Sequence, residues 1–128
     1  MNRQDDMKGR AIRFALIAAL TLCLSACASS SVQPIGNASY APAPVGSDVT
    51  IYSAENEIKR PFQVVGIISY DNPGKYQILD LSAAIPDLKD KARQVGANAI
   101  IIDHSEPVKS GFISTGIYVQ ARAIRVEQ

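Results

Sequence analysis

The sequence has little cysteine and little histidine. Its two cysteines, Cys23 and Cys27, both lie near the amino terminus, and His104 is the single histidine. Residues 28–128 contain no cysteine and therefore form no disulfide. They also lack the cluster of Cys and His side chains that a structural zinc site requires. We expect this part of the chain to depend on its hydrophobic core for stability.

An excess of charge of either sign is also missing. The whole chain has 13 Lys and Arg residues and 12 Asp and Glu residues, a formal net charge of +1. Four of the basic and two of the acidic residues precede Cys27, which leaves nine basic and ten acidic residues and a net charge of −1 in residues 27–128. A nucleic-acid-binding domain usually has a strongly basic face. We therefore predict no nucleic acid partner.

A hydrophobic run long enough to cross a bilayer is absent as well. A transmembrane helix needs about 20 apolar residues, whereas the run from Ala11 to Leu24 is shorter and contains Arg13. Basic residues precede or begin this run, and small residues follow it directly. This order of a basic, an apolar and a small-residue segment is typical of a secretory signal peptide. We expect residues 1–26 to be removed during export.

The signal segment ends in Leu24-Ser25-Ala26-Cys27. These residues resemble the lipobox of bacterial lipoproteins, and the resemblance implies cleavage before Cys27 and attachment of three acyl chains to that residue. Two acyl chains already hold a protein stably on a bilayer. In Gram-negative lipoproteins an Asp after the Cys retains the protein in the inner membrane, but Ala28 follows here. We expect an outer-membrane lipoprotein that faces the periplasm; the alternative is a secreted protein with an ordinary cleavage site.

Residues 27–48 are rich in Ser, Ala and Pro and have almost no charge. Such a segment cannot bury enough apolar surface to offset the entropy lost when it becomes ordered. The composition predicts a flexible tether that reaches at most about 60 Å, at about 3.1 Å per residue in an extended state. The folded domain is then expected over residues 49–128, which are too few for two separate cores.

Four segments of residues 49–128 are typical of β-strands. The second is nearly continuous in apolar and β-branched residues, which predicts a central strand with both faces covered. Gly66 within it indicates either a bulge or a close approach of another backbone segment. In the last, the alternation of apolar and polar residues inverts near Ala123, which indicates a bulge or burial on both faces. The four segments are 49–52, 62–70, 97–103 and 116–126.

Apolar residues between the second and third of these segments recur at helical spacing. Asp80 or Ser82 is predicted to cap the helix, Pro86 to interrupt it near its first turn, and Gly96 to end it. The order of elements predicts an α+β fold, a single small ββαββ domain with one sheet packed on one amphipathic helix. The predicted apolar stripe is Leu81, Ile85, Leu88, Ala92 and Val95.

Three short motifs resemble a known family. Arg60-Pro61-Phe62 leads into the second strand, Gly96-Ala97-Asn98-Ala99-Ile100 follows the helix, and Gly116-Ile117 begins the last strand. Over residues 49–126 they resemble the YbjQ-like superfamily of small domains, including the RcsF type of outer-membrane lipoprotein. The resemblance implies a sensor that relays envelope damage through protein contacts, and it leaves homo-oligomerisation open. RcsF-type domains have disulfide-forming cysteines, whereas this domain has none.

Few residues suggest catalysis. His104 lies between Asp103 and Ser105, but neighbours on an extended chain point in opposite directions and do not form a catalytic triad. The sequence also contains no phosphate-binding loop, zinc-ligand spacing or nucleophile elbow. We predict no enzyme activity, no cofactor and no metal site.

A binding role is the remaining expectation. Residues 105–115 are predicted to form a loop, and its apolar residues Val108, Phe112 and Ile113 are predicted to contact a partner. Packing of these side chains onto the core is the alternative. We expect a lipid-anchored envelope protein with a non-catalytic interaction domain, as an envelope-stress sensor or accessory factor. The alternative function is an envelope domain that binds a small ligand or a metal.

Overall fold

The computed structural model describes residues 28–37, 39–74, 78–110 and 112–128. They form one five-stranded sheet with one α-helix, an α+β fold. The predicted class is confirmed, but the predicted ββαββ order is wrong, because an additional strand precedes the others. The elements are β1 (Ser29–Pro34), β2 (Thr50–Tyr52), a 3₁₀ turn (Glu55–Glu57), β3 (Phe62–Asn72), α1 (Leu81–Gln94), β4 (Ala99–Ser110) and β5 (Ile113–Val126).

The strands follow the order β1-β3-β5-β4-β2 across the sheet. Three of the neighbouring pairs are antiparallel, and the short strand β2 is parallel to β4. Strands β3 and β4 therefore run in the same direction on either side of β5, and α1 connects them across one face of the sheet. The first and second strands of the chain form the two opposite edges.

Strand β1 lies in the segment that was predicted to be a flexible tether. It pairs with β3 from Ser29 opposite Asp71 to Pro34 opposite Gly66, and Val32 packs against the core. The predicted boundary at residue 49 is therefore wrong. The physical reason is that β3 offers a free edge of backbone donors and acceptors, which a polar segment with a single inward-facing Val can pair with.

Residues 35–37 and 39–48, which we call the strap, connect the two edges of the sheet. The strap passes the carboxyl end of α1, where the Ala43 N–H donates to the Arg93 carbonyl at 2.8 Å. The Arg93 Nε–H donates in turn to the Ser47 carbonyl at 2.8 Å. Part of the segment predicted to be flexible is thus fixed by hydrogen bonds to the helix.

Both ends of α1 have specific caps. The Asp80 carboxylate accepts a hydrogen bond from the Ser82 N–H at 3.0 Å, and the Ser82 hydroxyl lowers the pKa of Asp80. At the other end Gly96 has φ of 72°, its N–H donates to the Arg93 carbonyl, and the Ala97 N–H donates to the Ala92 carbonyl. This pair of bonds is a Schellman motif, so the predicted stop at Gly96 is confirmed.

The helix continues through Pro86, where an interruption was predicted. A proline at this position removes one hydrogen bond, but its fixed φ is compatible with the helix. The predicted stripe is buried at Leu88, Ala92 and Val95, whereas Leu81 and Ile85 are half-buried.

Side chains are buried on both faces of the sheet. The larger core lies between the sheet and α1, and a smaller cluster of Ala99, Ile101 and Ile124 lies on the opposite face. Ala123 and Ile124 are both fully buried, which confirms the predicted burial on both faces. The register of β3 against β5 shifts between Val64 and Gly66, so the predicted bulge is confirmed as well.

Replacing Gly96 by alanine tests the packing of the strap. A Cβ at this position would lie 2.6 Å from the Tyr40 Cβ and 2.7 Å from the Ala41 carbonyl oxygen. We expect Gly96→Ala to lower the free energy of unfolding by about 3 kcal/mol, because backbone strain and overpacking add. Urea denaturation of residues 28–128 measures this change.

Gly36→Ala is the matched control for this substitution. Gly36 also has a positive φ, of 85°, but a Cβ there has no neighbour within 4 Å. Only the cost of the left-handed backbone, about 1 kcal/mol, is expected. Equal losses for the two variants would contradict close packing of the strap on Gly96.

Candidate functional site

The two ends of the sheet differ in what they expose. At one end, the hairpin end, β1 begins, α1 begins and β4 turns into β5. One row of paired residues marks this end, with Ser29 opposite Asp71, Asp71 opposite Tyr118, and Tyr118 opposite Glu106. At the other end, the groove end, β1 ends, the strap crosses, and the chain terminates after β5.

The predicted loop over residues 105–115 is a β-hairpin. Strand β4 extends to Ser110 and β5 begins at Ile113. The predicted loop rests on Pro107 and Gly111, since proline and glycine are unusual inside a central strand. Because β2 pairs only with residues 99–101 of β4, the outer edge of β4 is free beyond them. A proline is tolerated at such an edge, where no strand needs its missing N–H.

The three predicted binding residues lie on this hairpin in different environments. Val108 is half-buried in β4, and Phe112 is fully exposed near the tip. Ile113 is the first residue of β5, and its side chain is outside the described part of the structure. Exposure of Phe112 agrees with a binding role, and the burial of Val108 agrees with packing onto the domain.

Ile78 is a further exposed apolar residue at the hairpin end that the sequence did not indicate. It precedes Leu79, whose N–H donates to the Thr115 carbonyl at 2.9 Å, and its side chain is 84% exposed. An isoleucine three residues before Leu81 fits the apolar spacing of the helix, so the sequence alone does not distinguish it from a core residue.

The groove end contains an open cavity of about 790 Å³. The Tyr40 ring forms one wall, with the Arg125 guanidinium 4.8 Å from its centroid. The Tyr40 hydroxyl donates to Gln63 Oε1 at 2.7 Å, and Arg125 Nη1 donates to the Gly96 carbonyl at 3.1 Å. The strap, β3 and β5 thus each contribute a side chain to this wall.

Asn98 fixes the position of the last strand beside the groove. Its Oδ1 accepts from the Val126 N–H at 2.8 Å, and its Nδ2 donates to the Val126 carbonyl at 2.9 Å. A second cavity of about 430 Å³ lies next to the first and shares Asn98 and Val126 with it. The sequence did not indicate this groove, because its residues come from segments that are far apart in the chain.

The face of the sheet opposite α1 has an ion-pair network. Arg122 Nη2 lies 2.9 Å from Asp103 Oδ1, and Arg122 Nη1 lies 3.2 Å from Glu55 Oε2. Hydrogen bonds to Asp103 and then to Glu55 raise the pKa of Arg122. The network connects β5 and β4 to the 3₁₀ turn, and Ile58, directly after this turn, packs against the smaller core.

His104 and Asp103 lie on the same face of the sheet. The expectation that these neighbouring side chains point in opposite directions is therefore wrong. The register of β4 shifts between Ile102 and His104, so a bulge brings both side chains to one side. Asp103 nevertheless binds Arg122, and His104 Nε2 lies 3.3 Å from Glu106 Oε2. In the described residues, no group of three or more His, Cys, Asp and Glu side chains is arranged to hold a metal ion.

The predicted lipidation residue, Cys27, lies outside the described residues. The described chain starts at Ala28, and β1 begins at Ser29 at the hairpin end. Within the described ranges, no helix is long and apolar enough to cross a membrane.

The fold is similar to that of a solved structure. The chain superimposes on the crystal structure of the Francisella virulence factor FvfA, in its orthorhombic form, with a TM-score of 0.54 and 11% sequence identity. The match covers 76% of this chain and 97% of that chain. No protein-family model and no curated protein sequence matches this chain. At this identity the similarity concerns the fold alone.

Substitution of Asn98 by alanine tests whether its amide holds the wall of the groove. Because two hydrogen bonds to Val126 are lost, we expect Asn98→Ala to lower the free energy of unfolding by about 2 kcal/mol. Asn56, an exposed residue of the 3₁₀ turn, provides the control. Asn56→Ala is expected to change stability by less than about 0.5 kcal/mol. Similar values for both variants in urea denaturation would contradict a structural role for the Asn98 amide.

Proposed function

We propose that this protein is a lipid-anchored envelope protein whose domain binds another envelope protein through the groove end. The pairing of Ser29 with Asp71 carries this proposal. This pairing places the start of β1 at the hairpin end of the sheet. If Cys27 carries acyl chains, the hairpin end therefore faces the membrane and the groove end faces the periplasm. A surface that faces away from the membrane is accessible to a protein partner.

The side chains of the groove suit a protein partner. Tyr40 and Phe62 line it together with Arg125. Aromatic residues and arginine are enriched at protein interfaces and carry much of their binding energy. Asp48 and Glu127 add negative charges to the same lining, so the groove offers both signs of charge to the partner.

Within this proposal, the finer role is that of an envelope-stress sensor or accessory factor of the RcsF type. The short motifs around Arg60, Gly96 and Gly116 support it, together with the lipobox-like Leu24-Ser25-Ala26-Cys27. The groove provides a contact surface that needs no disulfide. A strain that lacks the protein and responds normally to envelope damage would count against the sensor role.

The alternative is a domain that binds a small ligand or a metal. A volume of about 790 Å³ falls within the usual size of small-molecule sites. Calorimetric titration of residues 28–128 with divalent metal ions tests whether the domain binds a metal. Heat beyond that of dilution would favour it, and heat of dilution alone would argue against it.

Serine substitutions of the two cysteines test the lipid anchor. We expect Cys27→Ser to abolish incorporation of labelled palmitate and to release the protein from the membrane fraction, because the acylated sulfur is removed. Cys23→Ser is the matched control, because residue 23 belongs to the segment predicted to be removed. It should be acylated and pelleted like the unchanged protein. Palmitate incorporation into the Cys27→Ser variant would contradict the assignment.

Cross-linking in intact cells tests the groove as a partner site. A photoreactive phenylalanine derivative in place of Glu127, which lines the groove, is expected to capture a defined partner. The same derivative in place of Gln120, exposed on the opposite face of the sheet, serves as the control and should not capture it.

Arg125→Ala should reduce the yield of this cross-link by about tenfold, the effect of losing a moderate interface contact. The protein should remain at its normal level in the membrane fraction. Equal capture from positions 127 and 120 would argue against a specific site at the groove.

A further inference from the structure

The β4–β5 hairpin extends well beyond the row of paired residues that contains Ser29. Cys27 is two residues before Ser29, so its Cα lies at most about 7.6 Å from the Ser29 Cα. Beyond the row that contains Ser29 and Glu106, β4 continues for four residues to Ser110, about 13 Å. The part of β4 beyond this row is therefore longer than the two-residue segment that joins Cys27 to Ser29.

The root of the hairpin is packed against the connection between β3 and α1. The Leu79 N–H donates to the Thr115 carbonyl at 2.9 Å, and the Thr115 hydroxyl donates to the Pro73 carbonyl at 3.1 Å. A Cβ at Gly116 would clash with the Asn72 carbonyl oxygen, which shows how closely the two segments pack. These contacts fix the direction in which the hairpin leaves the sheet.

Two large apolar side chains project from this end. Phe112 is fully exposed, Ile78 is 84% exposed, and the exposed Lys109 lies on the same hairpin. Exposed apolar side chains mark surfaces that contact proteins or membranes. An aromatic ring enters the membrane interface readily, and a lysine on the same hairpin can reach lipid phosphate groups.

We propose that the hairpin end is a lipid-contacting surface, with Phe112 and Ile78 inserted into the interface of the membrane that holds Cys27. This inference rests on the proposed lipid anchor. We expect a bilayer rather than a protein to cover this surface, because β1 begins two residues after Cys27. No long tether remains between the acyl chains and the sheet, so this end of the domain stays against the membrane.

Fluorescence quenching by lipids tests the proposal in the acylated protein that begins at Cys27. This protein lacks Cys23, and the proposed lipid occupies the Cys27 sulfur, so Phe112→Cys introduces a single free thiol for a bimane label. The labelled protein is reconstituted in vesicles of phosphatidylethanolamine and phosphatidylglycerol with brominated acyl chains. We expect these chains to quench the label at position 112, and a label introduced by Ile78→Cys to be quenched as well.

Val45→Cys provides the matched control. Val45 is also apolar and 99% exposed, but it lies in the strap at the groove end. Its label should keep its fluorescence in brominated vesicles and lose it to aqueous iodide. Equal responses at positions 112 and 45 would overturn the proposal.

Two further outcomes separate this inference from the proposed function. Labels at positions 112 and 78 that are shielded from iodide but not quenched by brominated lipid would show that protein rather than lipid covers these positions, and would overturn the lipid contact. Mass spectrometry of the Cys27 peptide reports the anchor independently. An unacylated Cys27 would overturn both proposals, whereas acylation without quenching would overturn only the lipid contact.

Discussion

The pairing of β1 with β3 is the constraint on which the arrangement of this domain depends. It places Ser29 beside Asp71 at the hairpin end and makes β1 one edge of the sheet. Because β2 forms the opposite edge, the chain must cross the groove end between them. This crossing brings Tyr40 against Gly96 and Arg125, and so creates the wall of the groove. The pairing of β1 with β3 thus determines both where β1 begins and which side chains line the groove end.

The two ends of the sheet are suited to different contacts. The hairpin end has two exposed apolar side chains, Phe112 on the hairpin and Ile78 on the β3–α1 connection, and hydrogen bonds hold these two segments together. The groove end instead combines aromatic, amide and charged side chains around an open cavity. With the proposed anchor at Cys27, the hairpin end would face the membrane and the groove end would face a protein partner. Between them, the ion pairs of Arg122 connect the 3₁₀ turn to the sheet.

Local patterns predicted much of the fold correctly. The spacing of Leu88, Ala92 and Val95 follows from helical geometry, and Gly96 ends the helix because it adopts a positive φ. The alternation of apolar and polar residues in β5 inverts near Ala123, and this inversion correctly indicated burial on both faces. Alternation along a strand is a local property of the sequence, so it can be read without the tertiary structure. The bulge at Asp103, by contrast, had no counterpart in the pattern. It depends on how β4 is paired with β5, and it placed Asp103 and His104 on one face.

The sequence by itself determined the helix, its stop, the central strands and the absence of cysteine from residues 28–128, because each depends on neighbouring residues or on composition alone. Only the tertiary structure decided that Ser29–Pro34 is a strand, that the strap is packed, and that residues 105–115 form a hairpin. These segments are polar or rich in proline and bury little apolar surface of their own. Their order comes from backbone groups and side chains supplied by distant parts of the chain, which a local pattern does not contain.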